Sequence, residues 1–213
     1  MPTPYGYTTL LKTTLICCLL TAITFVFFPE FLTFTAITAS TVILFTLYFL
    51  RDPERQTPSD QQVIVAPADG KIVLIKPLDH SFTGKGSVLV SIFMSPFNVH
   101  VNRIPLDGTV VHLRYIPGKF LMAFDNRSME SNEKMEIGID NGSFRVFFSQ
   151  VSGFLARRIV CPLRLNERVI SGKRFGMIKF GSRIDMILPS SVKIMVQPGQ
   201  KTTAGETVIA LYQ

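Results

Sequence analysis

Two long apolar runs fill the first quarter of the chain, and shorter alternating runs fill the rest. From Thr13 to Leu50 the only charged residue is Glu30. Pro29 and Glu30 separate a first run, Thr13 to Phe28, from a second, Phe31 to Leu50. At 1.5 Å rise per residue, the second run makes a helix of about 30 Å, which matches the thickness of a bilayer core. The pattern predicts an N-terminal transmembrane helical hairpin.

The first run is short for a span unless Leu10 and Leu11 join it beyond Lys12. One spanning helix with an interfacial segment is therefore the alternative. A signal peptide is disfavoured, because no small-residue cleavage site precedes a polar chain. Lys12, Arg51 and Arg55 fall at the same end of a hairpin. The positive-inside rule then predicts a protein of the cell membrane with its globular part on the cytoplasmic side.

A polar stretch with two prolines, RDPERQTPSDQQ, follows the apolar runs and indicates a linker. After it, runs such as KIVLI, SVLVSIFM and SFRVFFSQV are rich in β-branched and aromatic residues and are separated by Gly and Pro. Only the stretch from Phe120 to Glu133 has a trace of helical periodicity. We therefore predict a membrane anchor with the start of the linker in residues 1–55 and a mostly β domain in residues 56–213.

A weak internal repeat lies near the C-terminus. Asn166 to Ile178 and Gly199 to Leu211 each contain a turn, a polar strand, a small residue followed by Gly, and an apolar strand. Barrel-sandwich folds of the biotinyl and lipoyl type have such halves, because each half buries one face against its twin. The repeat favours a barrel-sandwich-like domain and carries no information on chemistry.

The composition adds a net charge of +7 and three cysteines. A basic chain suits a polyanionic partner, and an apolar anchor favours the membrane over nucleic acid, for which no binding module is present. A merely basic soluble surface is the alternative. Cys17, Cys18 and Cys161 have no metal-binding or disulfide spacing. Cys161 is interpreted as a small buried hydrophobe rather than a catalytic thiol.

Three polar segments are candidates for chemistry. APADGKIV contains Asp69, SPFNVHVNRIP contains His100, and RFGMIKFGSRIDMILP contains Gly181 and Ser182. Taken alone, PADG is a good β-turn, FGS is compatible with a bulge, and His100 is compatible with a core histidine. No P-loop, G-x-S-x-G motif or metal-binding cluster accompanies them.

The order of motifs resembles the short-form phosphatidylserine decarboxylases of bacteria and archaea. The resemblance extends from Tyr48 to the C-terminus, and KFGSRID is its most specific part; it rests on YFLRDPER, PADGKI, SPFNVHVNRIP, YIPGKF, SNEK, LARRIVC, RFGMIKFGSRIDMILP and PGQKTTAGETVIA. It implies a zymogen in which the Ser182 hydroxyl attacks the Gly181 carbonyl. The resulting ester would eliminate to dehydroalanine, which becomes a pyruvoyl group after loss of ammonia. Residues 1–181 would form the β chain and 182–213 the α chain.

The resemblance also implies the reaction. The pyruvoyl group would form a Schiff base with the amine of phosphatidylserine, and the products would be CO₂ and phosphatidylethanolamine, a step of phospholipid biosynthesis. No metal or diffusible cofactor is expected. Either a lipid phosphate or plain solvent is expected to face Arg103, Arg157, Arg158 and Arg183. The expected partners are the phospholipid, the membrane and the two chains themselves, without nucleic acid; a homo-oligomer is compatible with the sequence.

The resemblance points to His100 as the base and to Asp69 as the group that orients its ring. The long-form enzymes carry a second histidine three residues after the first, where this chain has Arg103. Either His100 then serves both steps, or cleavage relies on strain and backbone hydrogen bonds. His80 and His112 lie outside the matched motifs and are interpreted as surface or structural residues.

A binding module is the competing hypothesis. A membrane-tethered barrel-sandwich domain that binds or carries a ligand without catalysis would show the same repeat and anchor, and it predicts no cleavage between Gly181 and Ser182. Another pyruvoyl enzyme acting on a soluble amino acid would need no membrane hairpin.

Overall fold

The computed structural model describes residues 1–59, 62–119, 131–153, 158–179 and 182–212. They form two compact units, Met1–Pro53 and Glu54–Gln213. Most of the stretch from Phe120 to Glu133 lies outside the described residues, as do Gly181 and Arg157.

The first unit is a helical hairpin. Helix α1 spans Tyr7–Phe27 and α2 spans Leu32–Phe49, with a turn of 3₁₀ helix at Pro29–Phe31 between them. Because α1 begins at Tyr7, Lys12 and the leucines before it belong to the first helix. Both helices are long and apolar enough to cross a membrane by length and composition. The predicted hairpin is confirmed, and proline breaks the two helices where the sequence indicated.

Backbone hydrogen bonds tie the two ends of the hairpin together. The Thr3 amide donates to the Leu50 carbonyl at 2.8 Å, and the Asp52 amide donates to the Met1 carbonyl at 2.9 Å. The Arg51 guanidinium stacks 3.9 Å above the centre of the Tyr48 ring. The chain therefore enters and leaves the hairpin at the same end, and the positive charges cluster there.

The second unit consists of three antiparallel sheets. An eight-stranded sheet has the order β13-β2-β3-β11-β7-β6-β5-β9, and two smaller sheets have the orders β1-β14-β12 and β4-β10-β8. The strands are β1 Val63–Val65, β2 Gly70–His80, β3 Gly84–Met94, β4 Val101–Arg103, β5 Gly108–Ile116, β6 Lys134–Asp140, β7 Arg145–Val151, β8 Arg158–Val160, β9 Arg168–Val169, β10 Arg174–Lys179, β11 Ser182–Leu188, β12 Lys193–Ile194, β13 Lys201–Thr202 and β14 Val208–Leu211.

The large sheet curls into a half-barrel around the core, and β11 lies in its middle. All seven residues of β11 are buried. Ile184, Met186 and Leu188 belong to the main apolar core, whereas Ile187 belongs to a smaller cluster. Because side chains alternate between the faces of a strand, Ser182 projects on the same face as Ile184, toward the main core.

The predicted C-terminal repeat has a structural counterpart in two glycine turns. Gly172 and Gly205 have nearly equal positive φ angles, +75° and +77°, which only glycine adopts without strain. A β-carbon added to Gly205 would lie 3.5 Å from the Gly172 α-carbon, so the two turns pack against each other. The Gly172 amide donates to the Ile104 carbonyl, and the Gly205 amide donates to the Ala66 carbonyl, both at 2.8 Å.

The duplication includes a second pair of segments that the sequence analysis did not find. APADGKIV and IPLDGTVV are similar in sequence and make the same contacts. Asp69 accepts a hydrogen bond from the Ala204 amide at 2.8 Å, and Asp107 accepts one from the Ser171 amide at 2.6 Å. The PADG turn is thus half of an internally duplicated framework. The predicted fold class, a mostly β, barrel-sandwich-like domain behind a helical hairpin, is confirmed.

Candidate active site

The pairing of β2, β3 and β11 places Asp69 and Ser182 at the same end of these strands, which we call the edge that the candidate residues share. Phe93 of β3 pairs with Lys71 of β2 on one side and with Arg183 of β11 on the other. Asp69 stands two residues before Lys71, and Ser182 stands one residue before Arg183. Neighbouring strands are about 4.8 Å apart, so Lys71 and Arg183 are about 10 Å apart across β3, and the two candidate residues stand next to them along the chain.

His100 lies at the same edge, reached through another sheet. It immediately precedes β4, and its carbonyl accepts a hydrogen bond from the Ile178 amide at 3.3 Å. Ile178 belongs to β10, which ends one residue later at Lys179 and leads toward the start of β11. The end of β10, the start of β4 and the start of β11 therefore meet where the chain passes from one sheet to the next. His100 is fully buried there.

The loop before His100 sets the tautomer of its ring. Nδ1 lies 2.9 Å from the Asn98 carbonyl oxygen. A carbonyl only accepts, so this hydrogen bond assigns the proton to Nδ1 and the lone pair of the neutral ring to Nε2. Asn98 is itself fixed, because its Oδ1 accepts from the Ser95 amide at 2.9 Å and from the Ser95 hydroxyl at 2.8 Å. The neutral ring therefore carries its lone pair on Nε2, which is the arrangement that a base needs.

Asp69 has other partners for both of its oxygens. Oδ1 accepts from the Ala204 amide, and Oδ2 lies 2.8 Å from the Arg55 guanidinium. Among the described contacts, the hydrogen bond to Nδ1 of His100 is made by the Asn98 carbonyl, and Asp69 anchors a turn at the same end of the sheet. A role of Asp69 in orienting the His100 ring stays a prediction.

Ser182 is a buried hydroxyl whose strand partner has polar neighbours. It is fully buried, and its Oγ makes no hydrogen bond among the described residues. Met94 is its partner in the neighbouring strand, and Sδ of Met94 accepts a hydrogen bond from Nδ2 of Asn102 at 3.8 Å. Nε2 of Gln150 in turn donates to Asn102 Oδ1 at 2.9 Å. A buried hydroxyl without a partner costs about 1–3 kcal/mol.

The candidate arginines have different surroundings. Arg183 is buried, lies 2.5 Å from Asp185 and donates to the Ser91 hydroxyl at 3.2 Å, on the face of β11 opposite Ser182. Arg103, where the long-form enzymes carry a histidine, donates to the Gly172 carbonyl at 2.8 Å. Both side chains hold the framework together.

Arg158 is exposed and has a buried lysine beside it. Lys179, which the sequence analysis missed, pairs with Arg158 in the β10–β8 register. Burial lowers the pKa of Lys179, and the charge of Arg158 lowers it further. The signal in the sequence was the lysine of KFGSRID, three residues before Ser182. Two cations kept side by side suit an anionic ligand.

The remaining candidates have structural surroundings. His80 stacks with Phe147 at 4.6 Å between ring centres, and His112 lies 3.5 Å from Glu136. Burial raises the pKa of Cys161 to about 11, which leaves it a poor nucleophile at neutral pH.

Comparison with known proteins identifies the family. A family model described as phosphatidylserine decarboxylase matches residues 42–210. A phosphatidylserine decarboxylase proenzyme of Chlorobium phaeobacteroides is 79% identical over 212 residues, with 100% of each chain covered. Proenzymes of the same name from Pelodictyon phaeoclathratiforme and Chlorobaculum tepidum are 59% and 58% identical, covering 100% and 97% of this chain and 100% and 95% of theirs.

Proposed function

The chain belongs to the phosphatidylserine decarboxylase family, and from that premise we propose that Ser182 is the precursor of a pyruvoyl group that carries the decarboxylation. The observation that supports Ser182 is its place: a fully buried hydroxyl at the first position of a core strand, at the edge it shares with His100 and Asp69. A pyruvoyl group is uncharged and close to serine in size, so the buried position fits it. A non-catalytic binding module is disfavoured by the family.

The proposed self-cleavage uses only groups of the chain. Ser182 Oγ attacks the carbonyl carbon of Gly181, and the amide nitrogen leaves as the amine of residue 182, so the peptide bond becomes an ester. Removal of the α-proton of residue 182 then breaks the ester C–O bond, which gives the Gly181 carboxylate and dehydroalanine. Tautomerisation and addition of water expel ammonia and leave the pyruvoyl group.

His100 is the proposed base for these proton transfers. The Asn98 carbonyl holds the proton on Nδ1, so Nε2 takes the proton from Ser182 Oγ or from the α-carbon. The Ser95–Asn98 hydrogen bonds keep the loop in place while the ring changes charge. Because Arg103 is committed to Gly172, this assignment gives both steps to one histidine.

In the decarboxylation, the pyruvoyl carbonyl supplies the electron sink, and the protein supplies position and shielding. Burial of the site excludes bulk water from the carbon that loses CO₂. His100 returns a proton to that carbon. Arg158, supported by Lys179, binds the phosphate of the phospholipid.

The anchor suits a substrate whose acyl chains stay in the bilayer. The hairpin brings its two ends together, so Lys12 and Arg51 lie at one end and Glu30 lies at the other. By the positive-inside rule the basic end, and with it the exit toward the catalytic unit, faces the cytoplasm.

Intact mass of the purified full chain tests the proposed function. We expect two fragments, with the 182–213 fragment lighter by one ammonia than the plain peptide. Ser182→Ala should remain one chain and should not release CO₂ from phosphatidylserine vesicles. His100→Gln should slow cleavage by at least tenfold. A folded wild-type chain that stays uncut, or decarboxylation by Ser182→Ala, would overturn the proposal.

A further inference from the structure

The polar stretch predicted as a linker is bound to the β domain by side-chain and backbone contacts. The Glu54 carboxylate lies 2.8 Å from the Arg174 guanidinium, and the backbone amide of Gln56 donates to the Glu206 carboxylate at 3.0 Å. Thr57 packs so tightly against Gly172 that a β-carbon there would overlap its hydroxyl. These contacts, together with those of Arg55, dock residues 54–57 on the β domain. We call this segment the strap.

Arg55 makes the central contact of the strap. Its guanidinium lies 2.8 Å from Asp69 Oδ2, and only 15% of the Arg55 side chain and 14% of the Asp69 side chain are exposed. A second carboxylate, that of Glu206, lies 3.9 Å from the same guanidinium. A partly buried, charge-assisted hydrogen bond is shorter and stronger than an exposed ion pair. Arg55 therefore fixes the rotamer of Asp69.

The internal duplication shows what the strap adds. Asp69 and Asp107 both hold a turn by accepting a backbone hydrogen bond from the other half of the domain. Among the described residues only Asp69 of the two has an ion pair, which Arg55 provides. The hydrogen bond to a backbone amide occurs in both turns and stabilises the fold. The ion pair with an arginine is, among the described residues, the difference between the Asp69 turn and the Asp107 turn.

The Asp69 turn in turn supports the strand that carries His100. The Arg103 amide donates to the Pro67 carbonyl at 2.9 Å, and the Gly205 amide donates to the Ala66 carbonyl at 2.8 Å. Strand β4, which follows His100 directly, is thus bound to the turn that Asp69 closes. A continuous set of contacts leads from Arg55 through Asp69 and the turn to β4.

We propose that Arg55 is a positioning residue for self-cleavage: by clamping Asp69, the strap holds the turn and β4 so that His100 is set for Ser182. The inference rests on the proposed function, because it concerns the rate of that cleavage. The proposal assigns Arg55, the last residue of the RDPER motif, a role in maturation that the proposed catalytic steps do not give it.

The test follows self-cleavage of the full chain after cell-free synthesis into detergent micelles, by mass or gel at several pH values. Arg55→Gln should slow cleavage by at least tenfold at neutral pH. Arg55→Lys should recover part of the rate. Arg55→Ala should be accelerated by added methylguanidinium.

Arg145→Gln is the control for loss of an arginine from an ion pair outside the site, since Arg145, whose side chain is 57% exposed, lies 2.9 Å from Asp140. It should cleave like the wild type. An Arg55→Gln chain that cleaves at the wild-type rate overturns the inference, as does an Arg55→Gln chain that fails to fold, because Arg55 would then serve general stability. A wild-type chain that is not cut would instead overturn the proposed function.

Discussion

Asp69 and Asp107 occupy equivalent turns of the internal duplication in the β domain. Asp69 accepts a hydrogen bond from the backbone amide of Ala204, and Asp107 accepts one from the backbone amide of Ser171. The two aspartates can therefore be compared directly. Both hold a turn, but of the two turns only that of Asp69 lies at the end of the sheet where Ser182 is.

Replacing each of the two aspartates by asparagine tests whether Asp69 contributes to self-cleavage beyond holding its turn. Asp69→Asn keeps an oxygen for the Ala204 amide but loses the charge that Arg55 binds. We expect it to slow self-cleavage by about tenfold or more while lowering the free energy of unfolding by about 1 kcal/mol. Asp107→Asn keeps the Ser171 hydrogen bond and should cleave at the wild-type rate. Equal cleavage rates for the two variants, measured by mass after cell-free synthesis, would contradict a special role for Asp69.

The two chains should stay together after cleavage. The 182–213 segment contributes β11, which pairs with β3 and β7 in the middle of the large sheet. It also contributes β13, paired with β2, and β14, paired with β1. Burial of one large apolar side chain contributes about 1.5–3 kcal/mol, and β11 alone buries Ile184, Met186 and Leu188. The chains should co-elute on dilution to nanomolar concentration and separate in denaturant; separation without denaturant would refute this.

The sequence was sufficient where a local pattern carries the information. The hairpin follows from uncharged runs broken at Pro29, and the family follows from an ordered set of motifs, on which the proposal of Ser182 rests. The contact of Arg55 with Asp69 was not predictable in this way. RDPER is polar and proline-containing, which is typical of a solvated linker, and its partners are fixed only when distant strands pair. The similarity of the PADG and PLDG turns is short, and their equivalence became clear only from the amides that Asp69 and Asp107 bind.

Loss of the charge of Arg183, which follows the proposed cleavage site, should destabilise the fold. Arg183 and Asp185 form a buried pair on the face of β11 opposite Ser182. Removing one partner leaves a buried charge, so Arg183→Met should lower the free energy of unfolding by about 3–5 kcal/mol. The double variant with Asp185→Leu should recover most of that loss. Denaturant unfolding in a Ser182→Ala background measures both, with Arg145→Gln as an exposed-pair control costing about 0–1 kcal/mol.

A double variant as unstable as Arg183→Met alone would contradict this assignment. The loss would then come from packing of the arginine stem rather than from the unpaired carboxylate.

His80 should make the catalytic unit less stable in acid. Burial lowers the pKa of His80 below its usual 6.5; Glu136 opposes this shift and His112 adds to it. The Phe82 amide donates to His80 Nδ1 at 3.4 Å, a contact that a proton on Nδ1 would break. As the pH falls below 6.5, the unfolded chain binds the proton before the folded chain does. Stability is therefore lost as the pH falls through this range toward the folded pKa.

The measurement is the melting temperature of the Ser182→Ala chain in micelles between pH 7 and pH 5, with and without His80→Asn. Asparagine retains an acceptor near the position of Nδ1 but does not titrate, so the variant should lose less melting temperature over this range. The aromatic contact with Phe147 is lost at every pH and should shift the whole curve without changing its slope. Parallel curves for the two chains would show that the acid sensitivity arises from other groups.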